Sequence, residues 1–338
     1  MKPQAMMRFP PILMFVLTLT LTLATHAIAG AYHAPRTRAG EPDLQGIWTN
    51  SSVTMLQRPP IFKGLIATDA EAAMMEGGFR KMVGDLISPA PIDPNLPAPP
   101  VVDEAPQADF IEMDLHLARI DGQRRTSWIV EPANGRIPFT PAGKAANLAS
   151  NPDEYDGPEV RPLTERCLIA IGSPEGPPMM NTGFNAHYRI RQSPGYVTIE
   201  VEMNHDVRIV RMTDRAHPPE AIHAWLGDSV GWWEGETLVI ETTNLRPGSR
   251  VASLGGGFAY GPRTRLTERL TRTAPGELLY AFTVEDPNYF QQPWRAEMPM
   301  RAAKGPIYEY ACHEGNYSLP NALSGARAEA RRVGSGSQ

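Results

Sequence analysis

Tyr196-Val197-Thr198-Ile199-Glu200-Val201-Glu202-Met203 is the stretch that decides the fold class. Val197, Ile199 and Val201 fall on one face of an extended chain, and Tyr196, Thr198, Glu200 and Glu202 fall on the other. A period of two marks a strand with one face buried and one face wet. Comparable runs flank it at His187 to Gln192 and Val207 to Met212, and others lie at Thr126 to Glu131, Thr237 to Thr243, Leu266 to Thr273, Leu278 to Glu285 and Ile307 to Ala311. Turn residues punctuate the series: Trp233-Glu234-Gly235-Glu236 leads into one run and Ala274-Pro275-Gly276-Glu277 joins two. No βαβ rhythm, internal repeat or dinucleotide glycine fingerprint interrupts it. The predicted fold is mainly β, an antiparallel meander forming a barrel or strongly curved sheet.

Upstream of Gln123 the pattern changes. Thr68-Asp69-Ala70-Glu71 fits a capping box, in which the threonine accepts from a backbone amide and the glutamate reaches back. One short helix is therefore predicted from Ala70 to Val83, with Gly77-Gly78 weakening its middle. From Ser88 to Pro106 prolines recur so often that neither ladder nor helix hydrogen bonds can form regularly, which reads as an extended strap over the domain. The organisation expected is a signal peptide over 1–29, an amino-terminal strand, helix and Pro-rich strap over 30–122, and a main β domain over 123–330.

The first residues predict export. Lys2 and Arg8 precede an apolar run from Ile12 to Leu23, and Ala27-Ile28-Ala29 supplies small residues where a signal peptidase reads. The run is too short to span a bilayer, so the mature chain carries no membrane span and works in the periplasm or as a secreted protein. No cysteine lies beside the cleavage site and no twin arginine precedes it. Removing Lys2 and Arg8 takes the net charge from -5 to -7, with the two signs interspersed, so a nucleic-acid partner is not expected. A hydrophobic content of 42% suffices for a real core. The only cysteines, Cys167 and Cys312, most simply form one disulfide in an oxidising compartment.

Three polar clusters are candidates for chemistry. In Glu202-Met203-Asn204-His205-Asp206-Val207-Arg208, a continued strand puts His205 in phase with Val197, Ile199 and Val201, pointing into the core or barrel lumen as a hydrogen-bonded core residue or as a general acid/base; a turn over Asn204 to Asp206 leaves it solvated. In Trp225-Leu226-Gly227-Asp228-Ser229, Asp228 orients a histidine, acts as a base or serves as ordinary turn chemistry. Trp225, Trp232 and Trp233 suit a core corner or an aromatic ligand. In Glu309-Tyr310-Ala311-Cys312-His313-Glu314, a bond from Cys312 to Cys167 holds His313 and Glu314 beside Arg166 and Glu165, as a clamp or as a site. His205, Asp206, His313 and Glu314, with His217 and His223, have donor atoms for a metal but no ligand spacing, so no metal or other cofactor is assigned. No Gly-x-Ser-x-Gly occurs.

Two resemblances bear on these motifs. Leu44-Gln45-Gly46-Ile47-Trp48 resembles the opening strand of lipocalin-like (calycin) barrels. The set Glu202-Met-Asn-His205-Asp206-Val-Arg208, Trp225-Leu-Gly-Asp228-Ser, Trp233-Glu234-Gly-Glu-Thr-Leu-Val, Glu285-Asp286-Pro287 with Pro293-Trp294, and Glu309-Tyr-Ala-Cys312-His313-Glu314-Gly-Asn316 resembles a large family of exported bacterial proteins of uncharacterised function. The likeness runs from about Gly46 to Gly325. It implies that these clusters and the Cys167 and Cys312 pair travel together, and it transfers no activity. The Pro-rich insert around Pro89 to Pro106 is longer here than in that family.

Two functional readings follow. In the first, the barrel binds a hydrophobic or aromatic small molecule, with Trp225, Trp233, Arg208, Trp294 and Tyr310 as contacts. In the second, the same cavity hosts a cofactor-free lyase, isomerase, cyclase or hydrolase, with His205, Asp228, His313 and Glu314 as its acid/base groups.

Overall fold

Nine strands close into a mixed β-barrel, in a computed structural model that describes residues 32–87, 114–148, 161, 163–170 and 173–335. In chain order the strands are β1 (Gly46–Thr49), β2 (Arg119–Ile120), β3 (Gln123–Arg124), β4 (Ile129–Glu131), β5 (His187–Ser193), β6 (Tyr196–Val201), β7 (Val207–Arg211), β8 (Asp228–Glu234), β9 (Thr237–Thr243), β10 (Arg250–Ser253), β11 (Gly256–Ala259), β12 (Arg265–Ala274), β13 (Glu277–Glu285) and β14 (Trp294–Ala302). Around the wall the order is β1, β5, β6, β7, β8, β9, β12, β13, β14, and β14 returns to β1 through Trp48↔Ala302 and Thr49↔Arg301. β4 pairs with β14, while β2 with β3 and β10 with β11 form separate hairpins. The helices are α1 (Asp69–Ile87), α2 (Pro141–Leu148) and α3 (Ser318–Ser335).

The period-two reading of Tyr196 onward holds as far as Val201, with Val197, Ile199 and Val201 buried in β6, whereas Glu202, expected on the wet face, is buried beyond the strand. Its neighbours contribute in the same way, with Trp48, Tyr188, Ile190, Val210, Leu238, Ile240, Leu266, Leu270, Leu278, Tyr280, Phe282, Val284, Trp294, Met298 and Met300 in one continuous core. Each such large side chain adds roughly 1.5 to 3 kcal/mol by leaving water, and inward-pointing side chains of a small barrel fill its interior. Phe258, Phe282 and Phe290 meet Trp294 edge-on, which suits the quadrupoles of the rings.

Several expectations are corrected. The strand from Tyr196 stops at Val201, and Met203–His205 is a single 3-10 turn. The meander has one parallel step, β7 against β8. Ile307 to Ala311 forms no strand. The helix after Thr68 is neither short nor alone: it runs 19 residues as α1. Its capping box is as predicted, with the Thr68 N–H donating to Glu71 at 2.8 Å and the Glu71 N–H donating to the Thr68 hydroxyl at 3.2 Å. Ala72 and Met75 pack with Val53, Phe62 and Leu117, and this burial outweighs the roughly 1 kcal/mol that each of Gly77 and Gly78 costs the helix. The predicted signal peptide and the whole of the predicted Pro-rich strap lie outside the described residues. Among the described residues no helix is long and apolar enough to cross a membrane.

The two ends of the barrel differ. At one end β5–β6, β8–β9 and β12–β13 are joined by two-residue turns, with Gly235 at φ +61 making the sharp reversal between Glu234 and Thr237. At the opposite end lie the start of β5, the end of β6, the starts of β7, β8 and β12 and the end of β9, and the long connections open there. Residues 173–182 enter that end and are buried. Hydroxyls of two wall tyrosines, and of Tyr260 just after the β10–β11 hairpin, hold them: Tyr260 donates to the Pro177 carbonyl at 2.6 Å, Tyr188 donates to the Met180 carbonyl at 3.1 Å, and Tyr280 accepts the Met179 N–H at 2.9 Å. Asn181 then donates to the carbonyls of Ser52 and Thr54 and accepts from Trp128 and Ser253, which spends its whole hydrogen-bonding capacity.

Candidate functional site

The long-connection end carries the chemistry, beginning inside the wall. Arg208 and Glu268 occupy inward positions of β7 and β12, in phase with Val210 and with Leu266 and Leu270. The guanidinium donates to both carboxylate oxygens, at 2.6 and 3.0 Å, and the Tyr280 hydroxyl donates to Glu268 at 2.6 Å. Burial works against the Arg208 charge, but Glu268 more than offsets it and holds the guanidinium above its ordinary range. Burial pushes the hydroxyls of Tyr188, Tyr260 and Tyr280 upward, so all three stay protonated donors.

Glu175 sits in the same interior, 3% exposed, on the segment that the tyrosines hold. Burial, reinforced by the nearby negative charge of Asp206, pushes its carboxyl up to about 8. Asp206 is itself raised by burial, against the pull of His205. A neutral carboxylic acid is thus kept in the barrel at neutral pH, beside a second carboxyl nearer the surface.

Just outside, the disulfide between Cys167 and Cys312 is formed, with Cα atoms 5.8 Å apart. It anchors the segment after β14 against residues 163–167, and Asn316 adds bonds to the Glu165 carbonyl at 3.2 Å and to Cys167 Sγ at 3.4 Å. An open groove of about 690 Å³ results. Phe184 and Tyr310 give it aromatic surface, Asn185 and Asn316 give it amides, and Glu309 and Glu314 put carboxylates on its rim. Glu165 also lines it, although that carboxylate is engaged by Arg161 at 2.8 and 2.9 Å. Nearby, Glu202 accepts from the Tyr308 N–H at 3.1 Å and meets His187 Nδ1 at 2.7 Å. Burial raises Glu202, but these bonds win and hold its carboxyl below the ordinary range.

The sequence-predicted residues are dispersed. Tyr310 and Glu314 line the groove, whereas His313 is exposed and does not line it. His205 ends the 3-10 turn at φ 46 and is exposed, so the cavity-facing register is overturned in favour of the turn. Asp228 does orient a histidine, but it is His217: Nδ1 lies 2.6 Å away, and Arg211 donates to the same oxygen at 2.8 Å. Arg208 and Trp294 are buried in the barrel core rather than presented to a ligand. Trp225 is covered by the Arg246 guanidinium at 4.4 Å, and Trp233 packs against the core at the tight-turn end. Glu175 and Glu268 were missed as site residues, and His217 was weighed only as a metal donor. Of the two missed, only Glu268 left a signal, as an acid in phase with Leu266 and Leu270. No three His, Cys, Asp or Glu side chains among the described residues group to hold a metal ion. Comparisons with family models, curated proteins and solved structures found no match to the chain.

Proposed function

We propose that this is an exported barrel, of the large bacterial family that its sequence motifs resemble, that binds a small molecule with an aromatic or apolar body. The ligand lies in the groove at the disulfide, not among the side chains that fill the barrel. The observation that carries this reading is the groove itself: about 690 Å³, with Phe184 and Tyr310 as apolar surface and a few fixed polar groups, the usual make-up of a small-molecule site. The carboxylates of Glu309 and Glu314 favour a ligand whose polar end is a cation or a hydrogen-bond donor. The disulfide supports an oxidising, extracytoplasmic location.

Fluorescence titration with 2-naphthylmethylamine and with 2-naphthoate tests the reading. Saturable binding of the amine, weakened by Tyr310→Ala and by Glu314→Gln but not by Trp225→Ala, is expected. Equal binding of both probes, or loss with Trp225→Ala alone, would place the ligand elsewhere.

A second reading, cofactor-free acid/base catalysis of lyase, isomerase, cyclase or hydrolase type, is favoured by the protonated Glu175 beside Asp206. Under it Glu175 supplies the proton, in place of the set His205, Asp228, His313 and Glu314. Wild type and Glu175→Gln incubated with a host envelope extract, with metabolites followed by mass spectrometry, separate the two. Depletion of a compound by wild type only supports catalysis; retention without depletion supports binding.

A further inference from the structure

The connection from β7 to β8, residues 212–227, returns along the outside of the barrel from the tight-turn end to the other. It covers the outward face of β8 and β9, where Asp228 and Glu241 point away from the core, opposite in register to buried Ser229 and Thr242. Asn244, at φ 57, fixes this cover by donating to the carbonyls of Pro219 at 3.0 Å and Ile222 at 2.9 Å. Between the cover and the 261–265 segment lies a second pocket, of about 300 Å³. It shares no lining residue with the groove at the disulfide.

His217 stands at its inner wall between two carboxylates that hold it unequally. Nδ1 meets Asp228 at 2.6 Å, a short charge-assisted bond that Arg211 shares from the other side at 2.8 Å. Nε2 meets Glu241 only at 3.3 Å, and Arg265 meets the other oxygen of Glu241 at 3.5 Å. Both of those contacts are at the long limit of a hydrogen bond. Asp228 therefore fixes the ring, while Nε2 and the Arg265 guanidinium remain loosely engaged. Arg263 adds a second guanidinium to the lining, bonded to a neutral partner, Asn288, at 3.2 Å. His223 lines the same space, and Glu220 is its one lining carboxylate.

We propose that this pocket binds a small oxyanion, the phosphate or carboxylate group of a small molecule. Arg263 and Arg265 supply the charge, and His217, with a proton on both ring nitrogens so that Nδ1 donates to Asp228, supplies a donor at Nε2. The ligand takes over Nε2 and Arg265 from Glu241, which acts as a resident competitor.

The test is NMR of the full mature chain at pH 6 and constant ionic strength, following the ring signals of His217 during titration with inorganic phosphate and, separately, acetate. A saturable shift with one of the two identifies the head group. Arg263→Gln and Arg265→Gln are each expected to weaken it roughly tenfold, and Glu241→Gln to strengthen it. Arg269→Gln removes the same charge from an exposed residue paired with Glu234, outside the pocket, and is expected to leave it unchanged. Melting curves confirm that each variant is folded. A shift linear in concentration, an affinity indifferent to both pocket arginines, or an equal loss with Arg269→Gln would overturn the proposal and leave only general screening.

Discussion

Arg208 and Glu268 meet through the interior of the barrel, with β8 and β9 between their strands along the wall, in a two-bond pair at 2.6 and 3.0 Å. Both side chains are almost wholly buried, and Tyr280 closes the carboxylate with a third bond. Such a pair contributes little net stability compared with apolar residues, yet removal of one partner strands the other charge. Arg208→Met is expected to lower the unfolding free energy by about 3 to 5 kcal/mol in urea denaturation, and Arg208→Met with Glu268→Leu to recover much of it. A single variant as stable as wild type would mean that water reaches the pair.

Glu175 makes stability fall as pH rises. An unfolded glutamate loses its proton near the ordinary value of 4.5, whereas in the barrel it keeps it until about 8. The folded state therefore binds more protons between those two values, and stability is complete below the first and is lost progressively up to the second. The contribution is on the order of 5 kcal/mol. Glu175→Gln cannot ionise, so it is expected to flatten the pH dependence over this window and to melt above wild type at pH 8. Parallel curves for the two proteins from pH 5 to 8 would show that Glu175 is ionised in the barrel.

The disulfide closes a separation of 145 residues. Cys167→Ser with Cys312→Ser is expected to cost between about 2 and 5 kcal/mol, most of it by freeing the unfolded chain. Hydrogen exchange is expected to quicken first in residues 309–316, all of which except His313 line the groove. Loss of protection elsewhere, with that segment unchanged, would show that the groove stands without the bond.

His205 occupies a backbone region that favours glycine, at φ 46, after Asn204 at φ 60. His205→Gly is expected to melt at or above the wild-type temperature, whereas His205→Val is expected to cost about 1 to 2 kcal/mol, since a β-branched residue resists positive φ. A large loss with glycine would restore a structural role to the imidazole.

The barrel was legible where its wall alternates cleanly, as in β6, or carries a short run of aliphatic residues between turn residues, as in β9, whose bounds match the predicted Thr237 to Thr243. β14 was hidden by Pro299, a residue that argues against a central strand. The register explains the tolerance: β1 pairs with β14 only near Arg301 and Ala302, and β4 only near Arg295 and Ala296, so Pro299 sits between the two pairings. β8 was hidden because Gly-Asp-Ser reads as a turn, whereas only Gly227, at φ +66, makes one. The site was less legible for a different reason. Glu175 stands alone among prolines and glycine, and what raises its carboxyl is burial by distant strands, which local sequence does not encode.

The closure of the barrel by β1 bears on the timing of folding. This four-residue strand is the first part of the wall to be made, yet its partners are Tyr188 and Ala302 on either side. Contacts so remote in sequence form slowly, because the chain entropy is lost before the contacts compensate for it. The wall stays an open sheet with two unpaired edges until β14 has been synthesised, and Cys312 emerges later still. A ribosome-bound or translocating chain truncated before Trp294 is therefore a species with exposed strand edges, in need of a chaperone, rather than a partly finished barrel.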